Sequence, residues 1–510
     1  MPDSQSLSFS RQILSFISKH RGLLFILLAV FVLRLPSLME PHRYADEEIY
    51  LTLGQGLRKG LVFYRDIHDN KPPLLYFIAA LAGNIFWFRF FLLVVHAIGV
   101  IIFWKLAELV FNQHHKAVFV STSLFAILST LPLLEGNIAN GENFMIIPAL
   151  AAVFLLYRML KYPSKQKSPW LYPLIGVLFA TAFLFKIPIV FDFLGILLFW
   201  VFLSQSHSLF REWIRLLVSR RFMLVLVGFA FPVILSIAYY AWLGAFEPYV
   251  RSALLQNIGY LSSWRSGGGV LENPLVWRGL IIAGISAVLF ALRQRLSRPV
   301  LLTMIWTVFS LYGALLSSRP YPHYLLEPLV PVSLLVVFPF LRRSLLDRIS
   351  ALVMMGVVGI AYVTNGFWYY KTLPYYQHFL HYATGAESWE ANLDYWGARR
   401  NYQISEYIQS RTSATDRIFI WGTEPAIYAL SDRLPVGRYT VSYHIIDFRA
   451  FDETLTALKT TPAKFIVVID TFDEFNNLKS FLDARYNLET VIDHADIYRL
   501  REDDTQAVQG

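Results

Sequence analysis

Along the first two-thirds of the chain, apolar residues come in long blocks and do not alternate with polar ones. Such blocks match the roughly 17–25 residues that an α-helix needs to cross a bilayer. Eleven spans are predicted, at 22–38, 88–111, 116–134, 144–160, 170–186, 188–203, 222–244, 276–292, 299–317, 324–341 and 350–370. A further stretch, KPPLLYFIAALAGNIF (Lys71 to Phe86), is apolar but short for a span. It reads as a helix lying in the membrane interface, started by Pro72 and Pro73. After about residue 371 the pattern changes. Residues 371–385 read as a linker and 386–510 as a small soluble α/β domain. There RIFIWG (417–422) and KFIVVID (464–470) have the short, continuous apolar character of buried strands. Residues 450–459 and 474–485 are predicted helices, and 488–500 a closing strand or hairpin. The predicted fold is thus a multi-pass α-helical membrane protein, with about eleven transmembrane helices plus interfacial helices in 1–370 and a C-terminal external α/β domain.

Composition supports the membrane reading. The 510 residues are 55% hydrophobic and 16% charged, against about a quarter charged in soluble domains. The net charge of +9 would suit nucleic acid, but its distribution gives another reason. With the N-terminus in the cytoplasm, the inside segments hold Lys161, Lys165, Lys167, Arg211, Arg215, Arg220, Arg221, Arg293, Arg295, Arg298, Arg342, Arg343 and Arg348. That is the positive-inside bias repeated loop after loop, and no nucleic-acid partner is implied. It also excludes Lys71 to Phe86 as a span, since a crossing there would turn every later basic loop outward. The run GLLFILLAVFVL (22–33) follows Arg11, Lys19 and Arg21 without a small-x-small cleavage site, and is read as an uncleaved anchor. With no cysteine, disulfides and thiolate metal sites are excluded.

An odd number of spans places the C-terminal domain outside, together with loops 39–87, 135–143, 245–275 and 318–323. The candidate chemistry lies in these loops. RYADEEIYLTLGQGL (Arg43 to Leu57) sets Asp46, Glu47 and Glu48 in the first turn of a helix. Acids suit that position because they face unpaired amides and the positive dipole end. Beside a membrane, however, carboxylates are costly unless paired, solvated or used. Successive helical residues point about 100° apart, so Asp46 and Glu47 cannot act on the same point in space. One aims into a cavity while the other supports the loop. In YRDIHDNKPPL (Tyr64 to Leu74), two prolines stiffen the backbone after Lys71. A fixed ammonium there suits a lipid phosphate; a snorkelling lysine is the plainer alternative. Asp66 and Asp69 are read as turn and amide partners, and His68 as a loop hydrogen-bonder. In loop 245–275, Gly267 to Gly269 make either a lid or a flexible surface loop, and Tyr249, Tyr260 and Trp264 either stack on a sugar or belong to an interfacial aromatic belt.

ADEEIY, GQGL and VFYRDIHDNKPPL together resemble the first external loop of the GT-C glycosyltransferases. Within that superfamily they are most similar to the family of protein O-mannosyltransferases and the bacterial lipid A aminoarabinose transferase. The resemblance covers roughly 22–370, is strongest in 43–76, and implies a GT-C-like catalytic domain using a sugar on a polyprenyl-phosphate carrier; the C-terminal domain resembles the external caps of bacterial members only loosely, and its plain reading is a structural or acceptor-docking cap. It implies Asp46 as the catalytic aspartate, Glu47 as its acidic neighbour and Lys71 as the lysine on the carrier phosphate. Glu142, in EGNIANGENF, resembles the second external acid, where other members can carry Asp. Lys186, in FLFKIP, resembles a lysine at an outer helix end, and His323, in YPHYLLEP, a residue facing the cavity. The alternatives are a snorkelling lysine and a satisfied interfacial histidine.

The chemistry fits these residue types. A positioned carboxylate takes the proton of a hydroxyl acceptor as the glycosidic bond forms. Preorganised cations stabilise the departing phosphate. Asp46 is the expected base and Lys71 the leading cation, with Arg265, Arg251 or Lys186 as helpers; Glu142 orients Asp46 or binds hydroxyls. The expected activity is an inverting, polyprenyl-phosphate-sugar-dependent glycosyltransferase (a hexosyl or pentosyl transferase) at the outer face of a bacterial cytoplasmic membrane. No metal and no cofactor are expected beyond the lipid-linked sugar donor, and the acceptor is a glycolipid, cell-wall polymer or protein. Mannose and aminoarabinose are sugars the resemblance suggests. Two alternatives are a lipid-linked-sugar flippase, for which Asp192 and Glu108 are the notable acids within spans, and a noncatalytic assembly subunit of envelope-polysaccharide synthesis.

Overall fold

The computed structural model describes residues 4–163, 168–203, 211, 214–215, 217–256 and 274–501. Helices occupy all eleven predicted spans: Ser4–Met39, Ile85–Val110, His115–Leu128, Gly141–Lys161, Leu171–Phe185, Val190–Phe202, Arg220–Trp242, Pro274–Leu292, Arg298–Ala314, Leu326–Leu335 and Leu345–Asn365. Among the described residues, seven helical segments are long and apolar enough to cross a membrane, and those at 115–128, 171–185 and 187–202 are apolar but shorter. Two of the ends that differ from expectation do so for clear local reasons. The helix predicted to reach 134 stops at Leu128, because Pro132–Leu134 forms a tight 3-10 turn and Glu135 adopts a left-handed φ of 55°. The last stops at Asn365, where Gly366 takes the left-handed conformation (φ 64°) that ends many helices.

The chain divides into two compact units. Unit one comprises Met1–Ser37, Phe90–Leu235 and Ile258–Thr372 and holds most of the long helices. Within it Leu171–Phe185 and Arg220–Trp242 meet backbone to backbone. A Cβ on Gly176 would collide with Val225 O, and one on Gly228 with Pro173 O. Small residues permit this approach, which replaces a hydrophobic driving force that lipid cannot provide.

Unit two comprises Leu38–Arg89, Ser236–Asn257 and Leu373–Gly510. Its five-stranded sheet has the order β2-β1-β3-β5-β4, from β1 (Arg417–Trp421), β2 (Leu434–Pro435), β3 (Phe465–Val468), β4 (Tyr486–Ile492) and β5 (Ala495–Leu500). β1 runs parallel to β2 and β3, with Ile418 opposite Phe465, while β5 is antiparallel to both β3 and β4. Strand alternation divides the core. Phe419, Trp421, Ile466 and Val468 pack beneath Phe451–Thr460 and Asn476–Arg485. Ile418, Ile420, Phe465 and Val467 pack against Ile404 and Ile408 of Arg399–Gln409. The predicted closing segment is the β4–β5 hairpin, turned at Asp493 and His494, both at positive φ.

The acidic helix Ala45–Arg58 and the nine-residue Leu74–Ala82 helix belong to this same unit. They touch closely at Gly54, where a Cβ would lie 2.7 Å from Ala80 N. The acidic helix is tied to the sheet region by Gln55 Nε2 donating to Ala429 O (2.8 Å) and Thr52 Oγ1 to Pro425 O (3.3 Å). Further along, His68 N donates to Arg438 O (2.9 Å).

Candidate active site

Three consecutive acids open the Ala45–Arg58 helix, and the fold gives each a different environment. Glu47 is fully buried and takes two nitrogens of Arg89, with Nη2 at 2.6 Å and Nε at 3.1 Å. Arg89 Nη1 also donates to Glu40 O at 3.1 Å, and Glu40 is paired in turn with Arg43 (3.0 Å). Glu48, also buried, meets His42 Nδ1 at 2.6 Å. Asp46 differs: its side chain is 30% exposed and accepts a hydrogen bond from Tyr50 Oη at 3.0 Å. Tyr50 stands one helical turn on, so the helix itself aims the carboxylate.

Lys71 reaches the same place from the next loop. Its Nζ lies 3.9 Å from Asp46 Oδ2, 3.8 Å from Asp69 Oδ2 and 5.1 Å from the centre of the Tyr50 ring, with 19% of the side chain exposed. Both carboxylate distances exceed hydrogen-bonding range, so these are charge contacts. The loop that carries Lys71 is firmly built. Tyr64, at a φ of 71°, bonds Ile67 O through its amide (2.7 Å) and Lys71 O through its hydroxyl (2.7 Å). Asp66 closes the turn by accepting from Val62 N at 2.8 Å. Asp69 accepts from Asn70 N and from Tyr76 Oη, both at 2.6 Å. Burial opposes ionisation of Asp69, but Lys71, His444 and these hydrogen bonds outweigh it and hold the carboxyl below its usual range.

The sheet region adds His444, whose Nε2 lies 3.9 Å from Asp69 Oδ1. His444 and His68 face each other with ring centres 6.0 Å apart. Burial is the main cause that depresses His68 to about 3, with the neighbouring His444 acting in the same direction, so it stays neutral. Its Nδ1 lies 3.2 Å from Ser252 Oγ, in keeping with a loop hydrogen-bonder. Tyr249 is buried, stacked on Tyr240 at 4.6 Å and packed on Tyr64 at 5.1 Å, so it forms the wall behind the Lys71 loop. Sequence reasoning missed Arg89, Tyr50, Tyr76 and His444. The spacing of Asp46 and Tyr50 (i, i+4) was a usable signal; nothing local announces His444, some 400 residues away.

Glu142, Lys186 and His323 come together in unit one. Asn140 caps the Gly141–Lys161 helix by accepting from Asn143 N at 3.1 Å, and Asn143 Nδ2 donates to Glu135 O (3.1 Å) and Ile138 O (2.8 Å). That loop presents Glu142 to Lys186 Nζ, which bonds it directly, and to His323 Nε2 at 3.6 Å. The other nitrogen of His323 bonds Glu135, a fourth member that sequence reasoning missed. Lys186 also sits 4.5 Å above the Tyr324 ring. The two notable acids within spans are engaged by tryptophan: Trp306 Nε1 donates to Asp192 at 2.5 Å, and Trp104 Nε1 to Glu108 at 2.9 Å; a third, Glu327, is buried in the Leu326–Leu335 helix. Arg251 is exposed and lies 3.9 Å from Glu247. Arg265, Tyr260, Trp264 and Gly267 to Gly269 lie outside the described residues. Among the described residues, no group of three or more His, Asp or Glu is arranged to hold a metal ion.

Comparison with known proteins agrees with this architecture. Residues 70–237 match the family model of the dolichyl-phosphate-mannose-protein mannosyltransferases, a stretch that includes Lys71, Glu142 and Lys186. The chain is also similar in fold to ArnT from Cupriavidus metallidurans, solved bound to undecaprenyl phosphate: 13% identity, a TM-score of 0.53, 94% of this chain and 98% of that one. The apo structure of the same ArnT gives 12% identity, a TM-score of 0.53 and the same coverage. No curated protein sequence matches significantly. The chain therefore has the helical membrane fold of the GT-C glycosyltransferases with a C-terminal sheet domain, and it resembles their mannosyltransferase and ArnT group.

Proposed function

We propose that this protein is an inverting glycosyltransferase that moves a sugar from a polyprenyl-phosphate carrier to an acceptor hydroxyl at the outer face of a bacterial cytoplasmic membrane. The observation that carries the reading is the partly open Asp46 carboxylate 3.9 Å from the Lys71 ammonium, both held by buried networks. Asp46 accepts the proton of the acceptor hydroxyl as its oxygen bonds the anomeric carbon. The bond from that carbon to the phosphate oxygen breaks, and the oxygen keeps the electron pair. Lys71 stabilises the growing charge on the phosphate. One displacement of this kind inverts the anomeric centre. Tyr50 positions Asp46, and Asp69 with Tyr64 positions Lys71. Glu47 is assigned the support of the loop, because Arg89 engages it in the interior. The polar cluster of Glu142, Lys186 and His323 is assigned to hydroxyl or phosphate recognition. The acceptor is proposed to be a glycolipid, a cell-wall polymer or a protein, and no metal is assigned a step.

The test uses the purified full chain, a panel of synthetic prenyl-phosphate sugars and a product assay. Wild type is expected to transfer one sugar of the panel, and Asp46→Asn to lose about 10²–10⁴-fold in rate, the usual contribution of a general base. Undiminished transfer by that variant removes Asp46 as the base. Transbilayer movement of the lipid-linked sugar without transfer would favour the flippase. That alternative gains no support from Asp192 and Glu108, which already serve tryptophan N–H groups.

A further inference from the structure

Two adjoining cavities open at the end of unit one that carries the basic loops. The first, about 310 Å³, lies between the last turns of Ile85–Val110 and Gly141–Lys161 and is lined by Lys105, Glu108, Phe154, Arg158 and Tyr162 among others. The second, about 290 Å³, is lined by Tyr157, Leu160, Lys161, Phe199, Leu203 and Arg298 among others. Asn112 borders both. The partition between them is fixed, since Lys161 Nζ donates to Asn112 Oδ1 at 2.6 Å and to Leu109 O at 2.5 Å.

The lining is unbalanced in charge. Glu108 is already taken by Lys105 at 3.0 Å and by Trp104. Among the described residues, Arg158 and Arg298 meet no carboxylate and no acid lines the second cavity. Each cavity therefore offers one uncompensated guanidinium beside aromatic and aliphatic walls. A guanidinium presents a planar fork that matches phosphate oxygens, whereas a neutral or zwitterionic head group gains less from it. Basic pockets between membrane helices, with apolar flanks for acyl chains, are the physical form of an anionic-lipid site.

We infer that each of these cavities holds the head group of an anionic phospholipid, its phosphate on Arg158 in the first and on Arg298 in the second, with acyl chains along Phe154 in the first and along Leu160 and Phe199 in the second. The inference rests only on the membrane reading and is independent of the transfer chemistry. Native mass spectrometry of the full chain, titrated with dioleoyl phosphatidylglycerol or dioleoyl phosphatidylcholine, tests it without an activity assay. Phosphatidylglycerol is expected to bind in preference. Arg158→Gln and Arg298→Gln are each expected to weaken binding at their own cavity by about fivefold, taking about 1 kcal/mol for each basic residue near an anionic lipid surface. Arg295→Gln, on the same basic segment but outside both cavities, is expected to change little. Equal weakening by Arg295→Gln would mean diffuse surface charge and overturn the inference. So would equal binding of the two lipids. Displacement of the lipid by millimolar inorganic phosphate would assign the cavities to a soluble anion and overturn it as well.

Discussion

Glu47 and Asp46 are neighbours of one charge type, yet their environments predict opposite mutant behaviour. Glu47→Gln leaves Arg89 as a buried cation without its main partner, a loss that typically costs about 3–5 kcal/mol. Pairing it with Arg89→Met removes both charges and should recover most of that stability. If Glu47 only supports the loop, the double variant also recovers transfer; a stable but inactive double variant would give Glu47 a part in the reaction. His68 supplies a second test at this scale. Its folded value of about 3 lies below the ordinary 6.5, so between those pH values the unfolded chain binds a proton that the folded one refuses. Stability should therefore fall as pH drops from about 6.5 towards 3, by up to about 1.4 kcal/mol per unit for this one group. His444 is depressed in the same sense. Asp69 adds its own loss at lower pH, where its stabilised carboxylate finally protonates. Thermal midpoints in detergent at pH 7.5 and 5 should show a drop that His68→Asn reduces. An unchanged drop in that variant would mean that His68 is not the buried neutral group described.

The GQG of the acidic helix shows how an element is made for its neighbour. Gly54 has no room for a Cβ against Ala80 N, so Gly54→Leu should push the Ala45–Arg58 and Leu74–Ala82 helices apart. Asp46 rides on the first helix, and Lys71 precedes the second by three residues. A fall in kcat with little change in donor KM is expected, and normal kcat would show that this contact does not set the distance between the two groups. Gly176→Leu meets Val225 O in the same way, deep in unit one, and should lower the thermal midpoint without this kinetic signature. The elements themselves were legible because each follows from local chemistry. Apolar blocks announce membrane helices, and two short runs of β-branched and aromatic residues announce β1 and β3. Their ends were less legible where a single residue decides, as at Pro132 and Gly366. Side-chain partners were least legible of all. Arg89 is read correctly as part of a span, but nothing in a hydropathy pattern says that its guanidinium turns back to Glu47.

At the scale of the molecule, sequence order and spatial order part company. Residues 38–89, 236–257 and 373–510 are three distant pieces of chain that share one compact unit, so a reading by linear segments could not have joined His444 to the Lys71 loop. The joining contacts are backbone acceptors at Pro425, Ala429 and Arg438, which carry no side-chain signature. This arrangement bears on what the C-terminal region is for. A docking cap would be removable without harm to the transfer chemistry. A region that supplies acceptors to Thr52, Gln55 and the His68 amide, and a histidine beside Asp69, supports the loop that carries Lys71. A chain ending at 385 should therefore remain membrane-bound, show new protease cleavage within 38–73, and lose transfer. Cleavage alone would not separate support from general unfolding, so the companion variant is His444→Gln in the full chain. It leaves every joining hydrogen bond in place and removes only the ring facing Asp69. With that ring gone, transfer by His444→Gln should fall mainly through kcat and its pH profile should shift, while the protease pattern stays that of wild type. Full transfer by both the truncated chain and His444→Gln would return the C-terminal region to the role of a cap.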